Sequence, residues 1–90
     1  MNYARRKKIK DMIATVKEIR GMIDHINSEI EDIAEEERNS IDSMPESLQD
    51  TDKGVKMEEA IESLESAADP IESISSSLDE LEEALEVAMV

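Results

Sequence analysis

The chain has 90 residues, and its 24 acidic side chains against 10 basic ones give a formal net charge of −14 at pH 7. This length fits one small domain, and the single aromatic residue, Tyr3, excludes a core built on aromatic rings. The absence of cysteine excludes disulfides and thiol chemistry. Hydrophobic residues still make up 39% of the chain, so we expect aliphatic side chains to be buried in a seam between helices.

Helix 1 is predicted from aliphatic residues that recur alternately three and four positions apart between residues 9 and 33. Such spacing forms the apolar stripe of a heptad helix, here over about residues 4–39. In heptad notation the a positions are Ile9, Val16, Ile23 and Ile30, and the d positions are Met12, Ile19, Ile26 and Ile33. The pattern ends where Glu37 occupies the next a position.

A connection follows over about residues 40–51, where Pro45 and several Ser, Asp and Asn residues interrupt the heptads. Ser43 and Glu46 have the spacing of a capped helical turn around Pro45, so we expect a short helical turn inside the connection. The chain is predicted to reverse its direction here.

Helix 2 is predicted over about residues 52–89 from ten further heptad positions. The a positions of helix 2 are Met57, Leu64, Ile71, Leu78 and Leu85, and its d positions are Ala60, Ala67, Ile74, Leu81 and Ala88. Pro70 lacks an amide hydrogen and clashes with the preceding turn, while Asp69 and Glu72 can cap a restarted helix. We therefore expect a kink or a brief interruption near residues 68–70.

Together these elements predict an all-α fold, a single antiparallel helical-hairpin domain over residues 1–90. Residues 1–20 carry seven basic and two acidic side chains, and the antiparallel arrangement places them beside the acidic end of helix 2. Isoleucine at both a and d positions favours coiled coils of more than two helices. A single hairpin also leaves the outer side of each helix exposed to solvent. We therefore expect a homodimer of hairpins that forms a four-helix bundle.

The acidic residues of helix 2 are predicted to have no catalytic role. They occupy the outward b, c and f positions, and a convex solvated face lacks the dry cleft that acid–base catalysis needs. His25, at a c position, is interpreted as a solvated imidazole, and no inward Glu-x-x-His pair or glycine-rich phosphate loop is present. We predict no enzymatic activity, no metal site and no cofactor.

The basic segment of residues 5–10 has two interpretations, an arm that binds phosphates or an internal counter-charge for the acidic end of helix 2. We favour the second, because the rest of the chain is strongly acidic and no aromatic side chains interleave for base stacking. Direct nucleic-acid binding is therefore not expected. The longest apolar run, residues 87–90, is far too short to cross a membrane, and we expect a cytoplasmic protein.

The acidic face of helix 2 is the most informative feature of the sequence. From residue 58 to residue 86, eleven carboxylates follow about 42 Å of helix, or roughly one per 4 Å. One DNA strand carries a charge every ~3.4 Å, so this row fits the basic groove of a protein that handles DNA or RNA. The alternative is that the row is only the solvated back of a coiled coil. The predicted partner-binding residues are Glu58, Glu59, Glu62, Glu65, Asp69, Glu72, Asp79, Glu80, Glu83 and Glu86.

Residues 35–49 read EEERNSIDSMPESLQ, and they are followed by Gly54 and by MEEA at residues 57–60. This stretch resembles a family of short acidic coiled-coil proteins encoded by bacteriophages and prophages. In that family an acidic helix end, an apolar-x-x-apolar-Pro-Glu-x-Leu-Gln turn and a glycine precede Glu-Glu-Ala heptads. The resemblance implies a phage origin. The turn itself is a candidate recognition element, formed by Met44, Pro45, Glu46, Leu48 and Gln49.

We therefore predict a non-enzymatic protein-binding module. It is expected to be a small phage protein that antagonises a host nucleic-acid-handling or defence protein through an acidic, nucleic-acid-like surface, in the cytoplasm of the host cell. The alternative is a structural or scaffolding coiled-coil protein whose exposed charge serves solubility and whose seam or connection holds a partner helix.

Overall fold

A computed structural model describes all residues from Met1 to Val90. The chain is all-helical, as predicted, with 89% of its residues in helices and no strand. The elements in chain order are α1 (Tyr3–Asp42), α2 (Glu46–Gln49), α3 (Asp52–Ser66) and α4 (Ala68–Ala88).

Helix α1 has 40 residues and is about 60 Å long at 1.5 Å per residue. It begins behind Asn2, whose side-chain oxygen accepts a hydrogen bond of 2.9 Å from the backbone N–H of Arg5. It ends at Asp42, three residues beyond the predicted end, although Glu37 breaks the a-position pattern. The extension is explained by Ile41, which lies at an e position and is only 5% exposed.

The connection is organised by the side chain of Gln49. Its Nε2 atom donates to the backbone carbonyl of Ile41 over 3.2 Å and to that of Met44 over 3.1 Å. The Ile41 carbonyl lies in the last turn of α1 and also accepts a hydrogen bond of 3.0 Å from the backbone N–H of Met44, while the Met44 carbonyl lies just beyond the helix. Gly54, in the first turn of α3, is buried against the backbone of Gln49. The sequence between α1 and α3 therefore folds into a compact, hydrogen-bonded turn.

The predicted disruption of helix 2 is a one-residue interruption at Ala67, between α3 and α4. Ala67 keeps right-handed helical angles, with φ −68° and ψ −17°, and its N–H donates over 3.2 Å to the carbonyl of Leu64. The physical cause is Pro70, which has no N–H to donate to the carbonyl four residues earlier. The tighter hydrogen bond at Ala67 marks the end of one helix, and the next helix begins at once.

The chain divides into two compact units. The terminal unit contains Met1–His25 and Ile71–Val90, and the connecting unit contains Ile26–Pro70. In the terminal unit the buried side chains are Ile9, Ile13, Val16 and Leu78. In the connecting unit they are Ala34, Ile41 and Ile61, the last being only 1% exposed.

The buried residues of α1 occupy the a and e positions, which we call the a/e seam. Ile9 and Val16 are a positions, while Ile13, Ala34 and Ile41 are e positions. The d positions of α1 stay exposed: Met12 by 47%, Ile19 by 39%, Ile26 by 46% and Ile33 by 51%. This pattern differs from the predicted seam of a and d positions. A helix with one neighbour buries one stripe, and positions d and e flank a on opposite sides.

Candidate acidic interface

In the connecting unit, the candidate acidic surface lies on α3. Burial of Ile61 and half-burial of Leu64 turn the b, c and f positions of this helix toward solvent. All five predicted residues there are exposed, namely Glu58, Glu59, Glu62, Glu65 and Asp69. Four of them lie on α3, and Asp69 is the second residue of α4.

In the terminal unit, the remaining predicted residues lie on α4, and all five are exposed: Glu72, Asp79, Glu80, Glu83 and Glu86. Asp79 is already paired, because its Oδ1 atom lies 2.7 Å from Nη2 of Arg20. The other four make no ion pair within the chain, so their charge is available to a partner.

Glu82 is the acidic residue of α4 that the chain uses for itself. It lies at an e position, its side chain is only 17% exposed, and its carboxylate is 3.0 Å from Nη1 of Arg20 and 3.8 Å from Nζ of Lys17. The hydrogen bond from Arg20 to Glu82 raises the pKa of Arg20, desolvation opposes this rise, and the nearby charges of Glu82 and Asp79 add to it. Glu82 therefore holds α1 and α4 together in the terminal unit.

The basic segment of residues 5–10 does not make the expected internal ion pairs. Arg5, Arg6, Lys7, Lys8 and Lys10 are exposed, and the interhelix ion pairs of the terminal unit are made by Lys17 and Arg20 instead. The register explains the difference. If Lys17 is opposite Glu82, the residue opposite Lys10 is Met89, and residues 87–90 carry no acidic side chain.

The connecting unit contains a groove next to Glu65 with a volume of ≈ 350 Å³. This volume is at the small end of the range of about 300–1,000 Å³ found for ligand sites. Its apolar lining is Ile30, Ala34, Leu64 and Ala68, and its polar lining is Asn27, Glu31, Glu35, Arg38 and Glu65. Arg38 and Glu65 form an ion pair on its edge. The groove combines aliphatic carbon with three carboxylates.

Of these lining residues, only Glu65 belongs to the predicted partner-binding set. Glu31 and Glu35 belong to α1, whereas the predicted acidic surface contains residues of helix 2 alone. The available signal was the pair Ala34 and Ala68, two small residues at e positions, which leave space where longer side chains would meet. The two alanines lie close together only because of how the helices pair, and the heptad pattern of a single helix does not reveal that pairing.

The residues of the candidate recognition turn differ in exposure: two are half-buried and three are exposed. Gln49 and Met44 are half-buried, and the side chain of Gln49 is bound to the end of α1. Leu48 is 46% exposed, and Pro45 and Glu46 are exposed as well. The latter three present the more exposed side chains of the turn.

The structure brings no three His, Asp or Glu side chains together in a way that would hold a metal ion. None of its helices has the combination of length and apolar character that a membrane crossing requires. Comparisons with family models, with curated proteins and with solved structures give no match for this chain.

Proposed function

We propose that the protein is a helical hairpin that binds a basic, nucleic-acid-handling or defence protein of a host cell through its acidic surface and thereby inhibits it. The hairpin is supported by the ion pairs of the terminal unit, in which Lys17 pairs with Glu82 and Arg20 with Asp79. Residue numbers rise along α1 while they fall along α4, as in an antiparallel pair. The exposed d positions support assembly of two hairpins into a four-helix bundle.

The acidic surface of the connecting unit carries the proposal. Between residues 58 and 69, five exposed carboxylates follow about 17 Å of helical rise, or roughly one charge per 3–4 Å. That spacing is close to the ~3.4 Å between phosphates along one nucleic-acid strand. Only Glu65 among the five is paired within the chain. A nucleic-acid-binding protein whose groove is lined by Lys and Arg side chains would therefore find on this helix negative charges spaced like the phosphates that the groove already binds.

The groove beside Glu65 could also bind a single side chain of the partner, a contact that a row of phosphates does not offer. Its aliphatic floor suits the carbon stem of an Arg or Lys side chain, and Glu31 and Glu35 suit the charged end. We propose that the partner inserts one such side chain there. This feature favours a protein partner over free polycations, because a defined pocket selects shape as well as charge.

The test is displacement of a fluorescent single-stranded oligonucleotide from a panel of purified host DNA- and RNA-binding proteins and defence nucleases. We expect this protein to displace the oligonucleotide from at least one of them, with an apparent affinity that falls steeply as salt increases. The triple variant Glu58→Lys, Glu62→Lys and Glu65→Lys should weaken displacement about 10- to 100-fold, since each exposed ion pair contributes up to about 1 kcal/mol.

The matched control is the triple variant Asp11→Lys, Glu18→Lys and Asp24→Lys, which changes net charge equally on exposed positions of α1. It should keep displacement near that of the unmodified protein. Equal losses in the two triple variants would mean that total charge matters and that the acidic surface is not the site. Ala68→Leu, which fills the groove from an exposed position, should weaken displacement without changing net charge.

The second candidate function is a scaffolding coiled coil, and the exposed d positions of α1 favour it. These aliphatic side chains would hold a partner helix by apolar contact, so the binding would resist salt. Salt-resistant binding that survives the triple reversal on α3 would select this alternative. The phage origin implied by residues 35–49 remains a prediction.

A further inference from the structure

The terminal unit has an apolar face that nothing in the chain covers. On α1 the side chains of Met12, Ile19 and Met22 are 47%, 39% and 63% exposed, and on α4 those of Ile74 and Leu81 are 41% and 47% exposed. These residues lie at d positions, except Met22 at g. In an antiparallel helix pair, equal heptad letters flank the seam on the same side, so the two helices contribute to one face.

Along α1, charge varies systematically on the same stripe of d and g positions, which we call the d/g stripe. It begins with Arg5 and Lys8, continues through the exposed apolar residues Met12, Ile19, Met22 and Ile26, and carries the acidic residues Glu29 and Glu36 toward its other end, with Ile33 between them. Neither Arg5 nor Lys8 has an ion-pair partner within the chain. The stripe is therefore basic at one end, apolar in the middle and acidic at the other end.

We infer that the d/g stripe of α1 is the contact surface for a second copy of this chain, packed with the two α1 helices antiparallel. A two-fold axis perpendicular to α1 near residues 19–22 brings Arg5 of each copy to the segment around Glu36 of the other. A parallel arrangement would instead place like charges together at both ends. This inference deepens the proposed four-helix bundle and is independent of the acidic surface on α3.

The apolar middle of the stripe supplies the affinity, and its charged ends set the direction. Ile19 and Met22 lie at the centre, where each copy contacts the same residues of the other. The small exposed residues Ser77 and Ala84, at g positions of α4, allow the helices of the second copy to approach closely. No other occupant is needed to cover the face, because the stripe is complementary to itself.

The first test is sedimentation equilibrium on three charge variants of the full chain. Arg5→Glu should raise the dimer dissociation constant about tenfold, because symmetry makes each substitution alter two contacts. Glu36→Lys should do the same. The double variant should recover the affinity of the unmodified protein, since it restores opposite charges in exchanged places.

The matched controls are Lys7→Glu and Glu35→Lys, which make the same charge changes at f positions away from the stripe. They should leave dimerisation within about twofold of the unmodified protein, because surface charges off the interface act weakly through screened solvent. A monomeric unmodified protein, or a double variant as weak as either single variant, would overturn the inference.

The second test measures direction. A spin label on Lys7→Cys, the only cysteine in the variant, should give an inter-copy distance of about 40 Å by double electron–electron resonance, from 1.5 Å of rise per residue on both sides of the axis. Parallel α1 helices would give a distance below about 30 Å and would contradict the inference. Both tests use the protein without a partner, so their failure is distinct from failure of the displacement assay.

Discussion

Gly54 provides the sharpest test of how the connection packs. A Cβ atom added at this position would lie 2.6 Å from the carbonyl carbon and 2.9 Å from the Cα of Gln49, and still closer to the carbonyl oxygen. All three are backbone atoms, so they cannot rotate away as the end of a side chain would. Gly54→Ala therefore requires α2 and the start of α3 to move apart.

Gly21 is the matched control, because it is exposed in α1 and an added Cβ would meet nothing within 4 Å. Gly21→Ala should stabilise the protein by about 0.5–1 kcal/mol, the ordinary gain for alanine over glycine inside a helix. At Gly54 the same gain is outweighed by overpacking, which costs about 1–3 kcal/mol. Displacement of Gln49 also weakens its two hydrogen bonds to the carbonyls of Ile41 and Met44.

The assay is thermal unfolding followed by circular dichroism, with all variants at one protein concentration because assembly shifts the midpoint. For a chain of this size 1 kcal/mol corresponds to about 4–8 °C. We expect the melting temperature of Gly21→Ala to be higher than that of the unmodified protein, and that of Gly54→Ala to be lower. If Gly54→Ala were stabilised as much as Gly21→Ala, the close approach of Gly54 to Gln49 would be absent from the native protein.

Three further predictions concern the ion pairs, the turn and the net charge. Glu82→Gln should lower the melting temperature more than Asp79→Asn. The Glu82 side chain is 17% exposed and pairs with two cations, while that of Asp79 is 73% exposed and pairs with one. Equal losses of melting temperature would contradict this ranking. Gln49→Ala should cost about 1 kcal/mol in a urea titration by removing the two side-chain hydrogen bonds to the carbonyls of Ile41 and Met44, and an unchanged midpoint would refute that role. Raising NaCl from low to moderate concentration should increase the melting temperature, because self-repulsion at a net charge of −14 exceeds the gain from few ion pairs; a decrease would show that the ion pairs dominate.

The helices were predictable because aliphatic spacing of three and four reports a helical stripe directly. Pro70 likewise indicated where helix 2 is interrupted, and the observed break at Ala67 lies one residue before the predicted segment. The choice of a/e seam was not predictable from helix 1 alone. Positions d and e lie about 60° and 40° from a on opposite sides, so both Met12 and Ile13 were compatible with the core.

The outward direction of the carboxylates on α3 and α4 follows from their heptad positions, and the structure exposes every one of the ten predicted residues. The groove was not predictable, because it requires Ala34 of α1 to lie near Ala68, and spacing along one helix does not fix the register between two. The role of Glu82 was hidden for the same reason, since its cations Lys17 and Arg20 are distant in sequence.

The pairing of α1 with α4 through the a/e seam is the central claim, and an intrachain distance measures it most directly. Spin labels on Ala14→Cys and Glu83→Cys, both exposed f positions of the terminal unit, are diluted with unlabelled protein so that only distances within one chain are recorded. Antiparallel packing predicts a separation of about 20–30 Å between the labels, from helices about 10 Å apart. A distance above about 50 Å would mean that the two helices do not pair within one chain, since unpaired helices of this length separate the labels that far.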